Sequence, residues 1–239
     1  MKIAVGNIRL GQTQGRIINM TRPITEKYCK INGYDYIIEE DRIEGVLFLE
    51  RGKETDSISQ LLAPHCHKIA FVLKHLQKYD WFVYLDCDAP AIDPTIPMEK
   101  FINEANSNHF LLMANEPLSL AEKLAPGIWR PNNCMLIIRN CLEAIDFFQR
   151  WGKKCVLTKA GTCSPAWWEM TGYAEHQEES QHEANHWYNH IKVYRPNIMW
   201  SEVDDYRRSS ILKGAVPVVH TCGGRDRSKI IRFRKLLGV

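Results

Sequence analysis

The chain has 239 residues, of which 45% are hydrophobic and 25% are charged, and its formal net charge is +3. These values are ordinary for a soluble globular protein that is long enough to bury a sizeable core. So small a net charge gives no indication of nucleic-acid binding, and no apolar stretch reaches the length that a transmembrane helix needs.

Short apolar strands alternate with helices along the first part of the chain. Gly33 follows the first predicted helix as its C-terminal cap, and Pro64 stands in the first turn of the second. In chain order, the patterns predict a strand at 3–5, a turn at 11–15, a helix at 16–32, a strand at 34–38, an irregular segment at 39–59 and a helix from 64.

The alternation continues to the end of the chain. The predicted elements are a strand within 79–88, a proline-rich loop at 90–97, a helix at 100–105, strands at 110–114 and 135–138, helices at 142–151 and 175–189, a strand at 216–220 and a basic C-terminal helix. No repeat or linker interrupts this order. We therefore predict an α/β protein of one domain, residues 1–239, with a mostly parallel central sheet flanked by helices.

Eight cysteines are scattered along the chain without a CxxC pair. The spacing disfavours a structural zinc site, and free buried thiols in a reducing compartment are the simplest interpretation. With no apolar leader at the N-terminus, this interpretation leads us to expect a cytoplasmic protein.

Two aspartates, Asp86 and Asp88, end the most apolar strand of the chain. Residues i and i+2 of a strand point to the same side, so the two carboxylates can converge on one point. Ligands of open α/β sheets bind at the carboxyl ends of the strands, and paired carboxylates suit a hard divalent cation. The sequence therefore predicts a metal site at this edge of the sheet.

Four sequence blocks in order resemble the GT-A-fold glycosyltransferases, in particular the family of fungal α-galactosyltransferases and plant xyloglucan xylosyltransferases. In that family a helix with Tyr-Cys or Tyr-Ala followed by HGYDY, a lysine before a YDWxxxLDxD block, an NTGxFLIRN segment and an HFxGCK segment follow one another. The corresponding segments of this chain are 28–36, Lys68 with 79–88, 132–140 and 220–225. Two departures are Cys134 in place of a glycine and Arg225 in place of a lysine.

The resemblance implies a single Rossmann-like GT-A domain that uses a UDP-sugar donor and a glycan acceptor. Residues 1–90 would form the nucleotide-binding half, and residues 91–239 would form the acceptor and catalytic half. The implied metal is Mn²⁺ (or Mg²⁺), held by Asp86, Asp88 and His220. Both related families retain the anomeric configuration, so retention is implied here as well.

Further donor contacts follow from the same resemblance. Lys68, Gly223 and Arg225 would bind the donor, with Arg225 at its diphosphate, and the first turn, including Gly6 and Asn7, would contact the base and the ribose. The remaining C-terminal cations, among them Lys229, are interpreted as a solvated helix face.

The segment 177–180 is similar to the HDES motif of the blood-group-type transferases. That alignment places Glu179 beneath the anomeric carbon as a nucleophile or a stabilising carboxylate, and Glu178 at hydroxyls of the donor sugar. The alternative is that both glutamates lie in a solvated first turn of a polar helix. Expected acceptor contacts are residues 115–116, 129–130 and 167–168.

Two other functions remain open from the sequence. The hhhDxD pattern also occurs in haloacid-dehalogenase phosphatases, although that family expects Thr or Val where this chain has Pro90. A non-catalytic protein that binds nucleotide sugars or glycans is the other alternative.

Overall fold

The structure is a computed structural model that describes residues 1–9, 11–40, 67–115, 131–157, 189–195, 197–221 and 226–237. The strands of the described ranges are β1 (Ile3–Ile8), β2 (Asp35–Glu39), β3 (Trp81–Leu85), β4 (Leu111–Asn115), β5 (Pro131–Arg139), β6 (Ile191–Tyr194), β7 (Trp200–Glu202) and β8 (Val218–His220). The α-helices are α1 (Gly11–Asn32), α2 (His67–His75), α3 (Glu99–Asn103), α4 (Leu142–Leu157), α5 (Val203–Arg208) and α6 (Asp226–Leu237), and a 3₁₀ turn (Leu76–Lys78) follows α2.

Within the described ranges, six strands form the main sheet in the order β2-β1-β3-β5-β4-β6. Strand β1 is parallel to both β2 and β3, β6 is parallel to β4, and β5 is antiparallel to its neighbours β3 and β4. The prediction of an α/β fold with a mostly parallel sheet is confirmed. The antiparallel β5 was not predicted.

Helices cover both faces of the sheet, and β3 shows why its sequence is apolar throughout. Phe82 and Tyr84 face the hydrophobic cluster that contains residues of α2 and α4. Trp81, Val83 and Leu85 face the opposite cluster, which contains residues of α1 and α3. Every residue of β3 is buried, as expected for a central strand with both faces covered.

A second sheet of two parallel strands, β7 and β8, lies beside the segment that follows β3. Ala91 forms an antiparallel bridge with Val218, and the amide of Ile92 donates to the carbonyl of Pro217 over 2.7 Å. The amide of Thr221 donates to the carbonyl of Asp88 over 3.2 Å. These bonds bring the end of β8 alongside the two aspartates, although more than 130 residues separate them in sequence.

Several predicted boundaries are corrected by the structure. The predicted turn at 11–15 is wrong, because helix α1 already begins at Gly11. Gly15 is buried there, and a Cβ atom at this position would lie 3.0 Å from Nε of Arg9, so the glycine permits close packing within a helix. The cap at Gly33 is confirmed, with φ of 72°.

Other elements are longer than predicted or were missed. Strand β5 begins at Pro131 and helix α4 continues to Leu157. Strands β6 and β7 and helix α5 were not predicted, because each is at most six residues long and carries little periodicity. Most of the irregular segment predicted at 39–59, the helix start predicted at 64 and nearly all of the helix predicted at 175–189 lie outside the described residues.

Candidate metal centre

Among the described residues, three side chains that can each offer a metal ligand meet at the carboxyl end of β3. One ligand atom from each of Asp86, Asp88 and His220 lies within 4.8 Å of the others. Asp88 and His220 are 5% and 8% exposed. Two carboxylate oxygens and one imidazole nitrogen form a donor set suited to Mn²⁺ and acceptable to Mg²⁺, so the residues present fit the predicted metal.

Asp88 lies in a positively charged environment. Its Oδ1 is 3.5 Å from Nε2 of His220, and its Oδ2 accepts hydrogen bonds from Nζ of Lys229 over 2.5 Å and from Oγ1 of Thr221 over 3.3 Å. Burial by itself would raise the pKa of Asp88, but His220 and Lys229 hold this pKa well below its usual range. Asp88 is therefore ionised and can serve as a metal ligand at neutral pH.

Asp86 is held by a second set of donors. Its Oδ1 accepts hydrogen bonds from Nζ of Lys68 over 3.2 Å and from the hydroxyl of Tyr84 over 2.8 Å. The ammonium of Lys68 also donates to Oδ1 of Asn133 over 3.1 Å, and Lys68 is only 3% exposed. Lys68, which the resemblance assigns to the donor, thus contacts one of the predicted metal ligands.

Side chains from two sides donate hydrogen bonds to the backbone of residues 85–87, within the segment of the two aspartates. The side-chain amide of Asn7 donates to the carbonyls of Leu85 and Asp86 over 2.8 and 3.2 Å. The hydroxyl of Tyr36 donates to Oδ1 of Asn7 over 2.7 Å. From the other side, Oγ1 of Thr21 in α1 donates to the carbonyl of Cys87 over 2.9 Å. These contacts hold the aspartates in place.

His220 is positioned by the small sheet. The ring of Trp200 lies edge-on to the imidazole with 5.4 Å between the ring centroids. Glu202 is the residue of β7 in register with His220. Burial raises the pKa of Glu202, whereas the nearby His220 and Arg232 act to lower it.

The structure brings Asn7, Lys68, Asp86, Asp88 and His220 to one edge of the sheet, and their roles in metal and donor binding stay predictions. Gly6 lies on β1 beneath helix α2, where a Cβ atom would come within 2.6 Å of Cζ of Phe71 and 2.8 Å of Cζ of Phe82. Its nucleotide contact stays a prediction, and close packing supplies a separate reason for the glycine.

Other predicted site residues lie outside the described residues. These are Gly223, Arg225, both catalytic candidates Glu178 and Glu179, and the expected acceptor residues 116, 129–130 and 167–168; the side chain of Asn115 is also outside them.

One predicted assignment is wrong. Lys229 was interpreted as part of a solvated helix face, yet its side chain is 19% exposed and contacts Asp88. In the same helix, Nη1 of Arg232 lies 3.8 Å from Oε1 of Glu202, and its Nε lies 3.5 Å from Oδ2 of Asp204. Arg234 and Lys235 are exposed, as predicted. No signal in the sequence links Lys229 to an aspartate 141 residues away.

Comparison with known proteins gives a match in structure alone. No protein-family profile and no curated protein matches the chain. A crystal structure of a glycosyltransferase involved in the glycosylation of the major capsid of PBCV-1 superposes over the whole of both chains, with a TM-score of 0.66 and 18% identity. The chain has the GT-A glycosyltransferase fold.

A second structural match extends over part of a longer protein. The apo structure of the bifunctional glycosyltransferase WbbM matches 97% of this chain and 49% of its own, with a TM-score of 0.54 and 10% identity. This chain therefore spans about half the length of that protein. Among the described residues, no helix has the length and apolar character needed to cross a membrane.

Proposed function

We propose that the chain is a metal-dependent glycosyltransferase that moves a hexose or pentose from a UDP-sugar to a hydroxyl group of a glycan or other acceptor, with retention of anomeric configuration. The observation that carries the proposal is the cluster of Asp86, Asp88 and His220 at the carboxyl end of β3. Ligands of open α/β sheets bind at this edge, and similar solved structures are glycosyltransferases.

The residues of the cluster have distinct tasks in this proposal. Asp86, Asp88 and His220 hold Mn²⁺ or Mg²⁺, which when bound neutralises the charge that develops on the leaving nucleoside diphosphate. The buried Lys68 orients the carboxylate of Asp86. Asn7 fixes the backbone of the same residue, which keeps the ligand set preorganised.

The remaining predicted contacts belong to the same proposal. Gly223 allows the backbone to approach the diphosphate, Arg225 binds it through its guanidinium fork, and Gly6 and Asn7 lie next to the nucleoside. Glu179 stabilises the anomeric centre, and Glu178 binds hydroxyl groups of the donor sugar. The cytoplasmic location stays a prediction.

Hydrolysis of the donor tests this function without knowledge of the acceptor. The full chain is incubated with a panel of UDP-sugars in Mn²⁺, Mg²⁺ or EDTA, and released UDP is measured for the wild type, Asp88→Asn and the control Asp146→Asn. Asp146 lies in α4 and is paired with Arg150 on the surface. We expect release with one donor, lost in EDTA and in Asp88→Asn and unchanged in the control.

Other outcomes separate the alternatives. Mn²⁺-dependent UDP binding without turnover of any donor, measured by calorimetry on the same samples, would favour the non-catalytic binding protein or a strict acceptor requirement. Absence of UDP binding in every metal would overturn the glycosyltransferase proposal. No observation favours the phosphatase alternative.

A further inference from the structure

In each aspartate of the metal centre, one carboxylate oxygen accepts hydrogen bonds from both a lysine ammonium and a hydroxyl group. On Asp86, the ammonium of Lys68 and the hydroxyl of Tyr84 both donate to Oδ1. Lys68 is fixed in place, because it is buried and also donates to Asn133.

The same arrangement recurs on Asp88 with residues from another part of the chain. The ammonium of Lys229 and the hydroxyl of Thr221 both donate to Oδ2, so that Oδ1 is left facing His220. Lys229 differs from Lys68 in its setting. It projects from the C-terminal helix α6, and its side chain is more exposed than that of Lys68, at 19% against 3%.

The charges of these four side chains cancel. Asp86 and Asp88 contribute two negative charges, and Lys68 and Lys229 contribute two positive charges within hydrogen-bond distance. A divalent cation that enters such a site alone gains little net attraction and is repelled by both ammonium groups. A diphosphate that enters with the cation removes this penalty, because its oxygens supply the missing negative charge.

We propose that Lys229 is an internal counter-cation of the metal centre, which makes binding of the divalent ion depend on the diphosphate of the donor. Lys229 balances Asp88 while the donor is absent, and it turns toward the diphosphate when ion and donor bind together. The inference rests on the proposed function, since it requires a donor with a diphosphate. It assigns to helix α6 a role in setting the order of binding.

The test is the affinity of the full chain for Mn²⁺, measured from the electron paramagnetic resonance signal of the free ion with and without UDP. The variants are Lys229→Met, which keeps the length of the side chain and removes its charge, and Lys229→Gln, which keeps a hydrogen-bond donor. Lys235→Met is the matched control, because Lys235 is an exposed lysine of the same helix. Thermal unfolding of each variant verifies that it is folded.

We expect Mn²⁺ alone to bind the folded Lys229 variants at least about tenfold more tightly than the wild type, since a nearby positive charge has been removed. UDP should improve Mn²⁺ binding strongly in the wild type and in Lys235→Met, and much less in the Lys229 variants. If both Lys229 variants bind Mn²⁺ no more tightly than the wild type, the inference is overturned. The proposed function would still be supported in that case if the wild type binds the metal in a UDP-dependent way. Failure of the wild type to bind Mn²⁺ even with UDP would instead reject the proposed function, and the inference with it.

Discussion

Gly6 and Asn7 are adjacent residues of β1 that the fold uses in different ways. Asn7 is 3% exposed, and its side-chain amide donates hydrogen bonds to the carbonyl groups of Leu85 and Asp86 at the end of β3. Gly6 has the opposite task, because it leaves room for the rings of Phe71 and Phe82. The sequence predicted that both residues lie near the ligand edge of the sheet, but the packing of α2 onto β1 depends on contacts between distant segments.

Replacement of Gly6 by alanine tests its packing role. The added Cβ would lie 2.6 Å from Cζ of Phe71, so the ring must shift within a filled core. We expect a loss of about 1–3 kcal/mol in the free energy of unfolding, measured by denaturant titration. Gly33→Ala is the control: nothing lies within 4 Å of its Cβ, and its cost of about 1–2 kcal/mol comes from the positive φ alone.

A different result for Gly6→Ala would favour the predicted nucleotide contact. In that case the variant would keep the stability of the wild type and bind UDP more weakly. Gly33→Ala should leave UDP binding unchanged in either case, because Gly33 caps the far end of helix α1 from the ligand edge.

At the scale of elements, helix α1 supports the aspartate segment through one side chain. Thr21 is 3% exposed, and its hydroxyl donates to the carbonyl of Cys87, between the two aspartates. We expect Thr21→Val to lower the free energy of unfolding by about 1–3 kcal/mol, because the carbonyl of Cys87 loses its donor in a partly buried site. Thermal and denaturant unfolding measure this loss.

The serine variant separates the hydrogen bond from the shape of the side chain. Because the hydrogen bond of Thr21 holds the carbonyl between the two aspartates, we expect Thr21→Val to bind Mn²⁺ more weakly than the wild type in the presence of UDP. Thr21→Ser keeps the hydroxyl and removes one methyl group, so it should retain most of the wild-type Mn²⁺ affinity. Equal Mn²⁺ affinity of both variants in the presence of UDP would contradict a positioning role of this bond and leave it a role in stability alone.

The direction of strand β5 shows a limit of prediction from local pattern. Residues 135–138 were predicted as a strand, and they lie in β5, where they pair with β3 and β4. All four of these residues are buried. An apolar strand with both faces covered has the same composition in either direction, so its antiparallel pairing follows from the path of the chain and not from its sequence pattern.

At the scale of the whole molecule, an ionic contact joins the edge strand β2 to the end of α2. Oε1 of Glu39 lies 2.8 Å from Nε2 of His75 and 2.6 Å from Nζ of Lys74. Burial, together with the nearby Lys78 and Lys74, lowers the pKa of His75 below its usual value, although Glu39 acts to raise it. Burial by itself would raise the pKa of Glu39, but Lys74 and His75 lower it below its usual value.

These two pKa shifts make the protein less stable in acid. The folded protein disfavours protonation of His75, so stability is lost as the pH falls below about 6.5, the usual pKa of histidine. The folded protein also favours ionised Glu39, which adds a further loss of stability below about pH 4.3. Melting temperatures measured from about pH 7.5 to 5 should therefore fall, and more steeply in the wild type than in His75→Gln. Identical slopes would show that His75 does not contribute.

The sequence by itself determined the α/β class, the mostly parallel sheet and the pair Asp86 and Asp88, because strand alternation and an apolar run that ends in carboxylates are local properties. The four ordered blocks also led to His220 and to the GT-A fold. Only the tertiary structure decided that Lys229 contacts Asp88 and that Asn7 holds the end of β3. These contacts join segments that are far apart in the chain, and their geometry depends on how helices and strands pack, which no local pattern of residue types encodes.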